Sequence, residues 1–326
     1  MSDIIDKIKK LAIEEKEKAN KLKADVILLA EDIRKGRLNI EFKKIDEKVN
    51  EHNACAIDGG KYEVDLGDSY LIIAKAVTVM GKYGEVKEIP PTIVRDFKII
   101  SDYYGEDEVK KHSISLMLTL ETNLLSRANC EKIFIDGPLL DPPVYEPSLE
   151  EYFIVRSNII QKKKPIGIVK RFSHRILIKE LENEGYNLLN MRESYLVTTL
   201  IMELRKNMKN KDTVMLGWID WDEVFKRGEI ISDLEGLSKA YQKFNTKIYS
   251  AYFQLSAISP IVRIDSLIPE ELEYIKAWGI EGEKEVTILN KLADSLAKIK
   301  NEEVKSYVTL FQSIKGTDFF SYLSRF

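Results

Sequence analysis

Between Asn53 and Asp136 the chain reads as three strands joined by short links, then one helix, then a fourth strand, and few folds accept that order. Ala54-Cys55-Ala56-Ile57 is a short apolar run ending at Asp58-Gly59-Gly60, which reads as a strand leading into a turn. Ser69 to Met80 is rich in β-branched and apolar residues and gives the second strand. A third falls within residues 85–100, interrupted by Pro90-Pro91. Over 106–129 the spacing of Ile114, Met117, Leu118, Leu120, Leu124 and Leu125 predicts a helix. Lys132 to Ile135 is the fourth strand, closing on Asp136-Gly137-Pro138.

The flanks are less regular. Residues 3–34 carry a broken apolar stripe and predict a helix, with a second short helical segment running towards Glu51. Beyond the fourth strand come a helix near 147–160, a strand from Ile166 to Val169, and helices near 173–184 and 193–208. Strands at 213–219, 246–254 and 260–265 follow, and the chain reads as helical from Glu285 onward. This divides 326 residues into a helical region at 1–50 for packing or dimerisation, a core at 51–300 and a helical tail at 301–326. A hydrophobic fraction of 44% is enough for one elaborated α/β domain or two closely joined ones.

Three acids stand at informative points. Asp58 and Asp136 each end a strand before glycine, which fits either a plain turn or a carboxylate held at a strand end. Glu121 has Met117, Leu118, Leu124 and Leu125 at helical spacing around it. An unpaired acid on such a stripe is costly, so it either snorkels to water at the stripe edge or faces a cation. Taken in order, the acids end strand one, sit on the helix after strand three and end strand four. That arrangement resembles the RNase H-like fold, an α/β mixed sheet flanked by helices, here with helical N- and C-terminal additions. It gathers carboxylates into one site suited to Mg²⁺ or Mn²⁺. Two such ions would activate water and stabilise the leaving oxygen of a phosphodiester.

The segments ACAIDGGKY, LMLTLETNLL, FIDGPLL and PIGIVKR follow one another in the order typical of NurA nucleases. AYFQLSAISPIVRID and a helix containing LADSLAKI resemble the family's C-terminal part, so the likeness spans about residues 50 to 300. The resemblance implies a metal-dependent deoxyribonuclease of the archaeal type, Mn²⁺-preferring, with Asp58, Glu121 and Asp136 as catalytic and metal-binding acids. It implies 5′–3′ exonuclease activity, with single-strand endonuclease action as a further option, in DNA end resection and repair. It also implies a homodimer working against a hexameric HerA-type ATPase. No Walker-type loop occurs, so ATP hydrolysis is expected of the partner.

The resemblance is incomplete where the family carries a late tyrosine and histidine. Val286-Thr287 and Ala293-Asp294 stand there instead. Asp294 either binds metal in place of the imidazole or is a surface acid pairing with Lys298. The departure keeps open a nuclease-inactive, DNA-binding scaffold, and an RNA-cleaving enzyme is the other alternative. His52, His112 and His174 have no ligand spacing and are expected at the surface. Asp220 and Asp222, beside Trp218 and Trp221, read first as surface charges next to packed tryptophans.

From Tyr152 to Lys179 there is no Asp or Glu but eight Lys and Arg residues. Lys170, Arg171 and Arg175 are the expected DNA-phosphate contacts, with Phe172 and Tyr152 as stacking surfaces. Lys170 also matches a recurring lysine of the NurA resemblance. The net charge of −3 allows such a local basic channel. Two cysteines without zinc-like spacing, a charged N-terminus and no long apolar run predict a cytoplasmic protein without a membrane anchor. The apolar stripe of the first helix and the aromatics Phe319, Phe320, Tyr322 and Phe326 are the candidate partner contacts.

Overall fold

A computed structural model describes residues 2–46, 49–84, 89–101, 105–140, 150–172, 174–188, 191–269 and 272–315. Among these, nine strands make one sheet in the order β1-β7-β8-β9-β6-β5-β2-β3-β4. Its centre is the expected unit. β2 (Asn53–Asp65), β3 (Ser69–Lys82) and β4 (Thr92–Ser101) form an antiparallel meander. Helix α2 (Glu106–Arg127) then returns the chain to β5 (Lys132–Asp136), parallel to β2, and β6 (Ile166–Val169) adds a further parallel strand. This five-strand block is the RNase H-like arrangement. The sheet extends through β9 (Ile261–Ser266), β8 (Tyr249–Gln254) and β7 (Val214–Asp220), all antiparallel.

Strand periodicity divides the core into two faces. Cys55, Ile57, Ile133 and Ile135 point to one, where the C-terminal half of α1 (Ser2–Arg34), α2, α3 (Glu150–Lys163), α4 (Ile176–Asn183) and α5 (Glu193–Leu204) pack. Ala54, Ala56, Val77 and Phe134 point to the other, under α8 (Leu272–Ala277) and α9 (Ile288–Ala297). Burying one such branched side chain stabilises by about 1.5–3 kcal/mol, which fixes the register: a one-residue slip would turn both sets round.

Several expectations are corrected. The segment towards Glu51, expected to be helical, contains the edge strand β1 (Glu41–Lys44), paired antiparallel with β7. Glu41, Lys43 and Lys44 are exposed there, which keeps the edge charged. Asp58-Gly59-Gly60 is not a turn, because β2 runs through it to Asp65. Three helices went unread: α6 (Trp221–Lys226), α7 (Glu235–Phe244) and α8. The first two are capped or packed by the Asp220–Asp222 cluster. Asp220 accepts the Asp222 amide at 2.9 Å, and Asp222 accepts the Tyr241 hydroxyl at 2.8 Å. Helix α10 (Asn301–Lys315) follows α9, and the aromatics from Phe319 onward lie outside the described residues. No described helix is long and apolar enough to cross a membrane.

Candidate metal centre

Asp58 and Asp136 arrive together by register. Ile57 pairs with Ile135 across the parallel strands, and the next step on each side brings the two acids to the α9 face. Helix α9 supplies the third. Its N-terminus is capped by Thr287, whose hydroxyl accepts the Asn290 amide at 3.1 Å. Its last residue, Ala297, lies so close to β2 that a Cβ on Gly60 would fall 2.2 Å from the Ala297 carbonyl oxygen. That close approach, rather than a turn, explains the second glycine. It sets Asp294 over β2 and β5, where one carboxylate oxygen each from Asp58, Asp136 and Asp294 lies within 4.8 Å of the others.

The cluster holds more negative charge than its surroundings neutralise. Asp58 is 8% exposed, and its Oδ1 accepts the Gly59 amide at 2.8 Å. Burial, then the Asp136 carboxylate, pushes its pKa up to about 8. Burial also raises Asp136, against the pull of Lys170. Lys170 follows β6 and places its ammonium between two acids. It donates to Asp136 Oδ2 and, at 2.8 and 2.7 Å, to the two oxygens of Glu285. Burial works against that charge, yet the two carboxylates hold its pKa above the ordinary lysine value. Asp294 pairs with Lys298 at 2.7 Å. The paired surface acid and the cluster member expected as alternatives for Asp294 are therefore one and the same geometry. Three converging carboxylates with oxygen donors alone, one of them buried and pushed towards protonation, fit a hard divalent cation.

Glu121 stands apart from that group. It lies on the α2 side of the sheet, where a Cβ on Gly59 would meet its Oε1 at 2.4 Å, and it is only 7% exposed. Arg156, equally buried, is 3.9 Å away and donates to Thr122 Oγ1 at 3.0 Å. The missing side chain at Gly59 lets this fourth carboxylate come up against the strand beside Asp58.

The basic stretch is largely turned inward. Arg156 and Lys179 are buried, Lys170 sits among the acids, and Arg175 is 3.7 Å from Asp233. Arg171 is exposed and lines a cavity of about 480 Å³ with Lys170, Phe172, Ser194 and Thr198. Phe172 meets Tyr252 edge-on at 5.3 Å. Two of the three histidines depart from the surface expectation. His52 is 4% exposed, and its Nε2 accepts the Trp278 indole N–H at 2.9 Å within an aromatic cluster. His174 is half-buried, and burial followed by Arg263 pushes it down to about 4. His112 lies 3.2 Å from Lys98 Nζ. Glu285 was missed altogether. It sits in the run Glu281-Gly282-Glu283-Lys284-Glu285, which reads as a solvated charged loop, and nothing in that pattern marks the last acid as buried.

Comparison with known proteins identifies the family and bears on the fold. The NurA domain family model matches residues 52–299. No curated protein sequence matches. The structure is similar to the crystal structure of the NurA nuclease from Sulfolobus solfataricus, with 15% identity, a TM-score of 0.59, and coverage of 98% of this chain and 99% of that one. It is similar also to a NurA structure bound to dAMP and manganese, at 13% identity and a TM-score of 0.59, covering 94% and 96% of the two chains. At these identities the structural likeness speaks to the fold.

Proposed function

The chain belongs to the NurA family, and from that premise we propose that it is a metal-dependent deoxyribonuclease whose ion is held by Asp58, Asp136 and Asp294. The observation that carries the proposal is the convergence of those three carboxylates within 4.8 Å. A relative has been crystallised with dAMP and manganese, which favours Mn²⁺ as the ion and DNA as the substrate here too. Glu121 offers a fourth carboxylate from beyond Gly59 and a ligand for a second ion.

A divalent ion at this position supplies Lewis-acid stabilisation of the phosphodiester oxygens and lowers the pKa of bound water. The protein's own groups do the rest. The middle of β2 and the end of β5 fix two ligands on rigid backbone, and α9 fixes the third. Lys170 touches the cluster and, with the exposed Arg171, lines the cavity beside α5, where a phosphate of the substrate strand would lie. The departure from a late histidine is not a loss of ligand in this reading, because the Asp294 carboxylate takes the place of the imidazole.

The finer reading is a 5′–3′ exonuclease with single-strand endonuclease capacity, acting in DNA end resection as a cytoplasmic homodimer with a HerA-type hexameric ATPase. Support for a partner surface comes from α1. Its C-terminal half buries Val26, Leu29, Ala30 and Ile33 in the chain's own core, while Ile5, Ile8, Leu11 and Ile13 are 49–60% exposed. Light scattering on the full chain and on a chain lacking the first 22 residues tests the dimer. A larger mass for the full chain alone is expected, and a monomer in both cases removes that part. The activity itself is tested by Mn²⁺-dependent cleavage of end-labelled DNA and RNA strands of matched sequence. Cleavage of DNA is expected, and preference for RNA would favour the alternative of an RNA-directed enzyme.

A further inference from the structure

The Lys170 ammonium occupies a position that a divalent cation would contest. It binds Asp136, a proposed metal ligand, and at the same time both oxygens of Glu285. The three side chains are little exposed, at 18% for Lys170, 12% for Asp136 and 8% for Glu285, so water screens their interactions weakly. A buried ammonium with Asp136 as its sole acid would face two poor options when a divalent ion arrived. It would stay and repel the ion, or leave its partner and lie unpaired in a dry site.

We propose that Glu285 is a positioning residue that removes this conflict by sharing the Lys170 ammonium with Asp136 and retaining it once a divalent cation takes Asp136. The inference rests on the metal-site reading above and deepens it. Two features of the geometry support it. Glu285 meets Lys170 through both oxygens, at 2.8 and 2.7 Å, so the ammonium has a complete acid partner without Asp136. Glu285 is itself tethered near the start of α9. Its neighbour Val286 accepts the Ile280 amide at 3.0 Å, and Thr287 forms the helix cap and pairs with Gly279. The acceptor for Lys170 and the ligand Asp294 therefore belong to one rigid piece of chain. Glu285 acts through Lys170 and is distinct from the three acids that converge on the ion.

The sign of each substitution follows. Glu285→Gln leaves the ammonium to Asp136 and weakens Mn²⁺ binding. Lys170→Met removes the competitor and strengthens it. In the Lys170→Met background, Glu285 has nothing left to position, and Glu285→Gln loses most of its effect. Mn²⁺ affinity is measured by electron paramagnetic resonance of the free ion for the wild type, the two single variants, the double variant and Asp136→Asn. The expected result is a roughly tenfold weakening by Glu285→Gln alone, shrinking to about twofold or less in the double variant, as coupled neighbours behave. Glu285→Asp, which keeps the charge, should recover part of the loss. An equal loss from Glu285→Gln in both backgrounds overturns the proposal and makes Glu285 a ligand or a bulk charge. Wild-type binding that Asp136→Asn leaves unchanged overturns the metal-site reading itself, whatever the cycle gives. Far-UV circular dichroism of each variant separates these results from unfolding.

Discussion

Asp58 and Asp136 leave adjacent parallel strands at the same level and on the same face, one residue beyond the Ile57–Ile135 pair. Because backbone pairing fixes this relationship, removing either side chain should leave the fold intact and empty the site of its charge. Asp58→Asn, Asp136→Asn and Asp294→Asn should each weaken Mn²⁺ binding by more than the roughly 10–100-fold typical of losing an outer-shell partner. Glu121→Gln should weaken it less, since that carboxylate lies on the far side of Gly59 and faces Arg156. Calorimetric titration of the four variants with Mn²⁺ checks the order. A larger loss from Glu121→Gln than from Asp294→Asn would reverse the assignment.

The geometry around Gly60 makes a sharper demand. An alanine there would put its Cβ 2.2 Å from the Ala297 carbonyl oxygen, a backbone atom that can yield only if α9 moves. Gly60→Ala should therefore destabilise by about 1–3 kcal/mol, as overpacking does, and displace Asp294 with the helix. Chemical denaturation measures the first effect and Mn²⁺ titration the second. Gly36→Ala is the control, since nothing lies within 4 Å of a Cβ there. Its positive φ still adds strain, but it should leave Mn²⁺ binding alone.

How much of this was legible beforehand follows from the kind of signal each part carries. The meander, α2 and β5 were readable because their apolar residues repeat with the period of the element they form. Asp58 and Asp136 were readable because they interrupt those runs. Glu121 was readable as a buried acid from its apolar neighbours, yet the helix pattern does not say on which side of the sheet it lies. β1 was misread because Glu41-Phe42-Lys43-Lys44 is an edge strand whose pairing with β7 comes from residues 170 to 176 positions away. Asp294 and Glu285 were ambiguous or unseen for a related reason. Asp294 sits between Lys291 and Lys298 and Glu285 ends a charged run, and only the long-range docking of α9 on Gly60 brings them to the cluster. Lys170 reads from sequence as a phosphate contact, and nothing in the pattern tells that its ammonium is shared by Asp136 and Glu285.

Protonation gives a test free of DNA. In the metal-free protein Asp58 titrates at about 8, well above its ordinary value of 3.8, because burial and Asp136 oppose its charge. The native state then holds a proton that the unfolded state has lost, so stability falls as pH rises from about 4 to about 8 and levels off above that. Mn²⁺ reverses the requirement, and its affinity should climb over the same window as binding expels the proton. Thermal melts in chelator at pH 5 and pH 8 should show a smaller drop for Asp58→Asn than for the wild type. Equal drops would mean that Asp58 is already ionised at neutral pH.

Substrate grip separates two cations that the sequence treats alike. Arg171 is exposed and lines the cavity, whereas Lys170 is paired within the cluster. Arg171→Ala should weaken binding to DNA of any sequence, and the slope of log affinity against log salt should fall by about one for a lost phosphate contact. An unchanged slope would place the DNA elsewhere on the surface. The measurement is fluorescence anisotropy with a labelled single strand in Ca²⁺, which occupies oxygen sites without supporting rapid cleavage.

One cleavage assay decides whether an ion held by Asp58, Asp136 and Asp294 drives DNA hydrolysis. End-labelled DNA is incubated with the wild type or with Asp136→Asn, each with Mn²⁺ and each with excess chelator. Cleavage is expected only from the wild type with Mn²⁺, with both proteins folded and of equal oligomeric state. Cleavage by Asp136→Asn at the wild-type rate, or by the wild type in chelator, would contradict it.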